Sequence, residues 1–289
     1  MHPHLTFLGF GFVAKALTRF LEGQTCKLTA VVRNRRPDEE ALFPQVNFLN
    51  WTGARDTAVA AAIAQSSHIV SSVPPRKEGD PAMQLLSPLL SELPHIKWLA
   101  LLATTGPYGD RGGAWVDETA QIAPDHVRAS LRARQELDWL RLVQDKALPV
   151  HIFRLSGIYG PGRSAFDKLR RGSARRIIKP KQVFSRIHVD DIAQTLAASM
   201  VNPNSGAIYN LADDLPAPPQ DVIEYAANLL GMAVPPDENF VTAEMSEMAR
   251  SFYADNRRVS NLKIKTELGI KLRYPDYTTG LKAILAQEN

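Results

Sequence analysis

Short apolar runs and longer amphipathic segments alternate through the first half of the chain. Five short, mainly apolar runs are typical of buried strands, in the ranges 5–9, 27–32, 68–73, 96–103 and 149–155. The segments between them have helical spacing, in the ranges 12–22, 55–65, 82–93 and 126–146. Such an alternation predicts right-handed crossovers and a mainly parallel sheet covered on both faces. The predicted fold class is α/β, with a doubly wound sheet.

The alternation of apolar runs and amphipathic segments is less regular in the C-terminal half. Two further strand candidates, 182–189 and 207–212, flank a helical segment, and proline-rich stretches follow them. We predict a first domain over residues 1–155, to whose sheet residues 182–212 return. A smaller C-terminal lobe that binds a substrate is predicted over residues 156–289.

The first predicted strand is followed at once by GFGFVA, residues 9–14. Gly9 permits a tight turn, Gly11 lets the backbone approach a pyrophosphate, and Ala14 lets the helix pack on the strand. Free N–H groups at the start of that helix then face the anion. Because the motif follows a strand and opens a helix, it predicts a Rossmann dinucleotide site. The predicted cofactor contacts in this loop are Gly9, Phe10, Gly11, Phe12 and Val13.

The end of the second predicted strand bears on which dinucleotide is bound. It reads VVRNRR over residues 31–36, and no acid precedes Asp38. NAD sites usually place an acid there to hold the ribose 2′-OH, whereas an arginine suits the 2′-phosphate of NADP. We predict NADP with Arg33 as a contact and keep NAD as the alternative. The competing interpretation is that these arginines only make a loop soluble.

Composition and charge restrict the kinds of molecule that the protein is expected to bind. The net charge of +4 comes with basic runs at 33–36 and 168–181 that lack interleaved aromatic residues, so we expect an acidic small molecule and no nucleic acid. Cys26 is the sole cysteine, and the seven histidines have no zinc-like spacing, so neither an internal disulfide nor a metal is expected. No apolar stretch approaches the roughly 20 residues that span a bilayer. With no secretory signal pattern at the start, we expect a cytoplasmic protein that does not bind membranes.

Three more segments carry a family resemblance: ATTGPYG (103–109), IYGPGR (158–163) and RIHVDDIA (186–193). With the glycine loop, they resemble the extended short-chain dehydrogenase/reductase superfamily, which includes the NAD-dependent epimerases and dehydratases. The tail segments 209–214 and 256–277 also fit, so the resemblance covers nearly the whole chain. The short glycine motif is similar to that of an atypical branch. The resemblance also suggests a homodimer.

This resemblance implies roles for several residues at strand ends. Thr104 falls where the family places a Ser or Thr that hydrogen-bonds the reacting oxygen, and it is also expected beside the cofactor. Ser71, Ser72 and Val73 are expected near the adenosine half of the dinucleotide. Tyr159 is expected near the nicotinamide. The alternative for Thr104 is a turn hydroxyl with no part in chemistry.

The chain departs from the family at the Tyr-x-x-x-Lys pair that transfers the proton. None of the seven tyrosines has a lysine four residues later, and Arg128 and Arg132 stand at the matching spacing with Glu136 one turn on. Arginine stays protonated, so it cannot serve as an ordinary general acid–base. These residues form either an exposed ion-paired helix face or a clamp for an anionic substrate or cofactor phosphate. Tyr108 is the first candidate to replace the missing phenol.

Three functions therefore compete. The first is an NAD(P)-binding oxidoreductase or epimerase/dehydratase-like enzyme with an atypical active site, whose catalytic candidates are Thr104, Tyr108, Arg128 and Arg132. The second is a redox sensor or regulator that binds the dinucleotide without turnover. The third is a β-hydroxyacid dehydrogenase, whose all-helical second half does not fit the strands predicted at 182–189 and 207–212. The substrate is not specified by the sequence.

Overall fold

The computed structural model describes residues 3–51, 56–93 and 95–288. Its strands are β1 (His4–Leu8), β2 (Lys27–Val32), β3 (Val46–Asn50), β4 (His68–Ser71), β5 (Trp98–Thr104), β6 (Trp115–Val116), β7 (Val150–Leu155), β8 (Gly157–Tyr159), β9 (Arg176–Ile178), β10 (Arg186–His188), β11 (Ile208–Leu211), β12 (Asp237–Asn239) and β13 (Arg258–Val259). Its α-helices are α1 (Phe12–Phe20), α2 (Pro37–Leu42), α3 (Thr57–Ala64), α4 (Pro81–Leu86), α5 (Val127–Lys146), α6 (Ala165–Arg170), α7 (Val189–Val201), α8 (Pro219–Leu230), α9 (Glu247–Ala254), α10 (Leu262–Glu267) and α11 (Tyr277–Glu288). Among these described residues, no helix combines the length and apolarity that a membrane span needs.

Seven strands form one sheet in the order β11-β7-β5-β4-β1-β2-β3. The neighbours from β5 through β4, β1 and β2 to β3 pair in parallel. The chain builds outward from β1 in one direction and then, from β4 onward, in the other. The predicted α/β class with a mainly parallel, doubly wound sheet is confirmed. In such sheets ligands bind beyond the carboxyl ends of the strands, where the strand order reverses.

The five apolar runs of the first half correspond to β1, β2, β4, β5 and β7. The prediction missed β3 at the sheet edge, whose alternation of buried and exposed positions lacks a continuous apolar run. It also missed α2, which buries none of its residues. Position 55 of the helix predicted over 55–65 lies outside the described residues, and α3 accounts for the remainder.

The first compact unit comprises Met1–Thr104, His126–Arg154 and Ile192–Tyr209. Its core lies where the sheet meets α3, α4 and α5. Val59, Ile63 and Trp139 bury fully against the apolar strand positions. Burying an apolar side chain of this size stabilises a fold by about 1.5–3 kcal/mol, so these contacts anchor the helices beside the strand ends.

The second compact unit comprises Thr105–Asp125, Leu155–Asp191 and Asn210–Asn289. It contains the short parallel pairs β8–β10, β9–β12 and β6–β13. Helices α6, α8 and α11 bury a separate apolar cluster that includes Phe166 and Leu281. Residues 105–125 belong to this unit although the sequence placed them in the first domain, and β10 pairs with β8 and not with the large sheet.

Candidate functional site

The glycine loop begins where β1 ends. Gly9 has φ +88°, in the left-handed region that glycine adopts readily and other residues rarely do. A Cβ at Gly9 would also lie 2.8 Å from Ser72 Oγ, closer than such atoms pack. Both the backbone conformation and the space beside it therefore require glycine at position 9.

Gly11 differs from Gly9 because nothing in the described chain requires glycine there. It is the N-cap of α1 with φ −96° and ψ −161°, which any residue adopts, and a Cβ would meet no atom within 4 Å. It offers no side-chain cap, so the N–H groups of the first turn lack that acceptor. An open space at an uncapped helix N-terminus fits the pyrophosphate of a dinucleotide.

The other loop residues offer mainly their backbone. Phe10 is buried and packs edge-on against Phe43 and Phe48, with ring centroids 5.2 and 5.0 Å away. Val13 is also buried, and Phe12 is half-buried. The side chains of Phe10 and Val13 therefore fix the loop on the core, and their predicted contact with a cofactor would be made by main-chain atoms.

The segment after β4 lies beside this loop because β1 and β4 pair in parallel, with Leu8 opposite Ser71. The buried Ser71 hydroxyl accepts a hydrogen bond from Val73 N at 3.3 Å. The Ser72 hydroxyl lies 3.4 Å from Gly9 O and donates to it. The hydroxyls of Ser71 and Ser72 thus shape the loop, and their contact with a cofactor stays a prediction.

Arg33 follows the end of β2. Its side chain is exposed and makes no hydrogen bond or ion pair with any residue that the structure describes. Arg35 is paired with Glu40 at 2.7 Å, and Arg36 with Glu39 at 3.4 Å. Within this basic run, Arg33 is therefore the cation that is available to a phosphate.

Arg128 and Arg132 lie in the first two turns of α5, after the N-cap His126. Arg128 is exposed, and its side chain bonds to none of the described residues. Arg132 is half-buried and donates from Nη1 to Gln135 Oε1 at 2.9 Å. Burial lowers the pKa of Arg132, Asp80 opposes that shift, and Arg128 adds to it. Because guanidinium stays protonated in proteins, two positive charges stand one helical turn apart.

Glu136 does not lie on an exposed face with these arginines, so that part of the prediction is wrong. Its side chain is 2% exposed and accepts from Arg154 Nε at 3.0 Å and Nη2 at 2.8 Å. Eight residues of α-helix turn the side chain by about 80° beyond two full turns. This rotation carries the helix face from solvent at Arg128 to the sheet at Glu136, where β7 presents Arg154.

The hydroxyl candidates fall in both units. Thr104 ends β5 in the first unit and is half-buried. In the second unit, Tyr108 is fully buried and donates to Asn210 Oδ1 at 2.8 Å. Tyr159 is buried there too, donates to Asp276 O at 3.3 Å, and has its pKa raised by burial and nearby carboxylates. Both phenols thus donate hydrogen bonds within the second unit, and a role of Tyr108 in catalysis or of Tyr159 beside the nicotinamide stays a prediction.

One cationic cluster was not predicted as a site. In the second unit, the pKa of Lys168 is lowered by desolvation and by the guanidiniums of Arg186, Arg171 and Arg163. These three arginines act electrostatically on Lys168, while Asp213 acts on Arg186 with the opposite charge. The sequence signal was the basic run that begins at residue 168, which by itself is typical of a solvated surface.

Comparison with known proteins relates this architecture to solved structures. No family model and no curated protein matches the chain. A functionally unknown conserved protein from Silicibacter pomeroyi DSS is 44% identical, with 99% of each chain covered and a TM-score of 0.91.

Two enzymes of known structure share the fold at lower identity. The dTDP-glucose 4,6-dehydratase of Bacillus anthracis str. Ames, solved in complex with NAD, is 19% identical over 100% of this chain and 97% of that one, with a TM-score of 0.81. The UDP-glucuronic acid 4-epimerase of Bacillus cereus, also solved with NAD, is 13% identical over 98% and 96%, with a TM-score of 0.79. The chain therefore belongs to the same protein family as the conserved Silicibacter pomeroyi protein, and its fold is that of the NAD-dependent dehydratases and epimerases.

Proposed function

We propose that this protein binds a nicotinamide dinucleotide at residues 9–13 and acts as an oxidoreductase or epimerase/dehydratase-type enzyme on a small anionic substrate. The observation that carries the proposal is Gly11, a glycine that the chain itself does not need, at an uncapped helix N-terminus with open space beside it. The dehydratase and the epimerase of the same fold, each solved with NAD, support it. When bound, the nicotinamide would supply hydride chemistry.

Among the two dinucleotides, we propose NADP. Arg33 is exposed and unpaired among the described residues, and no acid stands at the end of β2 to hold a ribose 2′-OH. A guanidinium binds a phosphate through charge-assisted hydrogen bonds, which are stronger than neutral ones. Arg33 would thus recognise the 2′-phosphate.

We expect NADPH to bind at least about tenfold more tightly than NADH, since a hydrogen bond to a charged group contributes about 1.5–3 kcal/mol. Arg33→Ala should remove this preference by weakening NADPH alone, as measured by fluorescence titration. Arg35→Ala is the matched control, because Arg35 is already paired with Glu40. Equal affinities of the wild-type protein for both cofactors would contradict the assignment.

An anionic substrate is supported by two groups of cations. Arg128 and Arg132 carry charge that no carboxylate among the described residues pairs within salt-bridge distance, since Glu136 is bound to Arg154. The cluster around Lys168 is the second group. A carboxylate or phosphate is the chemical partner that guanidiniums bind best. Thr104 would donate to, or accept from, the oxygen that reacts.

The second candidate is a dinucleotide sensor that does not turn over a substrate. It is favoured by the side chains at 128 and 132, because arginine cannot exchange the proton that a Tyr-Lys pair would. It is also favoured by Tyr108, whose hydroxyl is buried and bonded to Asn210. Dinucleotide binding is common to both candidates, so turnover is what distinguishes them.

Turnover of nucleotide sugars by the wild-type protein should be very low, because general acid–base catalysis contributes about 10²–10⁴-fold and its usual agent is missing. The double change Arg128→Tyr with Arg132→Lys should raise the rate of epimerisation or dehydration. Arg134→Tyr with Arg141→Lys, at two exposed positions of the same helix, is the control. Robust wild-type activity with an essential group titrating near neutral pH would show that another residue transfers the proton.

A further inference from the structure

Gln135 on α5 uses every hydrogen-bonding group of its buried side chain within the first unit. Its Oε1 accepts from Arg132 Nη1 at 2.9 Å, and its Nε2 donates to Val73 O at 3.1 Å and to Asp80 Oδ2 at 2.9 Å. A side-chain amide has one carbonyl oxygen and two N–H donors, so both donors and the oxygen of Gln135 have a partner. The partners fix its orientation, because guanidinium only donates while carbonyl and carboxylate oxygens only accept.

Asp80 holds this amide from the other side. Its Oδ2 also accepts from Trp139 Nε1 at 2.6 Å, and its Oδ1 accepts from Ala82 N at 2.8 Å as the N-cap of α4. Asp80 is 8% exposed and Trp139 is fully buried. Hydrogen bonds in a buried network strengthen one another, so a change at one member is felt at the others. Gln135 therefore links α4, the segment after β4 and the first half of α5.

The two ends of this network belong to the two halves of the proposed site. Val73 lies in the segment expected beside the dinucleotide, and Arg132 belongs to the pair expected to hold the substrate anion. We propose that Gln135 is a positioning residue that couples dinucleotide binding to anion binding. It acts through the Val73 carbonyl and the Arg132 guanidinium, and this inference rests on the proposed function.

The coupling between dinucleotide binding and anion binding should be positive. A dinucleotide that fixes the segment at Val73 also fixes the amide of Gln135, and the amide oxygen then holds Arg132 ready for an anion. An anion that meets an ordered guanidinium binds more tightly than one that must first order it. Coupling between two binding sites is reciprocal, with typical factors of about 5–150. We expect NADPH to tighten anion binding at least about fivefold.

Acetate is a suitable probe, because it offers a carboxylate and does not resemble a dinucleotide. Its dissociation constant is measured by calorimetry with and without saturating NADPH, and the ratio of the two constants is the readout. Gln135→Glu keeps an acceptor for Arg132 but sets a carboxylate against Val73 O and Asp80, so the ratio should fall to about one. Gln135→Met removes the hydrogen bonds without adding charge, and it should also bring the ratio to about one. This second variant provides the test if Gln135→Glu fails to fold.

Gln144→Glu is the matched control, since it makes the same change of charge at an exposed position of the same helix and should leave the ratio unchanged. A ratio near one in the wild-type protein, an absence of acetate binding in both states, or an unchanged ratio in Gln135→Met would overturn the inference alone. A wild-type protein that does not bind NADPH would overturn the proposed function, and the inference with it.

Discussion

Gly11→Val should abolish NADPH binding without unfolding the protein. The backbone at Gly11 has ordinary dihedral angles, and a Cβ there meets no protein atom within 4 Å, so the folded chain tolerates the larger side chain. The same branched side chain would occupy the space that a pyrophosphate needs at the start of α1. Fluorescence titration with NADPH and urea denaturation measure the two effects.

Two further variants separate the loss of a binding surface from the loss of structure. Gly11→Ala places a single methyl group in the same space and should weaken NADPH less than Gly11→Val does. Gly9→Ala should instead lower stability, because Gly9 has φ +88° and its Cβ would contact Ser72 Oγ. Wild-type NADPH affinity in Gly11→Val would show that residues 9–13 do not bind the cofactor.

Local sequence pattern was sufficient for the parts of the fold around the candidate site that depend on neighbouring residues. The run before Gly9 is mainly apolar because β1 is buried on both faces, so the strand and the turn after it can be predicted from the sequence. Gly11 lies at a strand-to-helix turn, which the neighbouring residues alone also indicate. By contrast, β3 is an edge strand with exposed positions, and its apolar signal is interrupted.

The pairings between distant side chains were not predictable in this way. One of the two interpretations paired Glu136 with Arg132, four residues away on the same helix, yet Glu136 binds Arg154 on β7. Gln135 meets Asp80, which is 55 residues away in sequence. Such partners depend on how a helix is rotated against the sheet, and helical spacing leaves that rotation open. Periodicity therefore identified the helix and its arginines but not which of its polar groups are buried.

The two positive charges of the proposed anion site owe their availability to that buried pair. If Glu136 faced solvent, its carboxylate would lie one turn from Arg132 and could pair with it. Because Glu136 is bound to Arg154, it forms no salt bridge with Arg128 or Arg132 among the described residues, although its charge and that of Asp80 still act on Arg132. The ion pair thus contributes both to the fold and to the electrostatics of the proposed site, and its removal should have a large effect.

Glu136→Gln should destabilise the protein by about 3–5 kcal/mol, because it leaves the buried guanidinium of Arg154 without its counter-charge. The side chains of Glu136 and Arg154 are 2% and 5% exposed, so water cannot replace the lost carboxylate. Asp138→Asn is the control on the same helix. It breaks a pair with Arg141 whose side chains are 33% and 65% exposed, and such pairs contribute only about 0.2–1 kcal/mol. Urea denaturation gives both values.

A variant of Arg154, the ion-pair partner of Glu136, adds a test of how the stability of the protein depends on pH. Burial raises the pKa of Glu136, while Arg154 opposes that shift, so Arg154→Met should raise the pKa further. A carboxyl whose folded pKa exceeds its unfolded pKa binds protons more tightly in the folded state, so its contribution to stability is lost as pH rises through the folded pKa. Arg154→Met should therefore be more destabilising at pH 8 than at pH 5.

Combining Glu136→Leu with Arg154→Met removes both charges and should recover most of the lost stability. A Glu136→Gln variant no less stable than Asp138→Asn, or equal losses for Arg154→Met at the two pH values, would contradict a buried ion pair at this position.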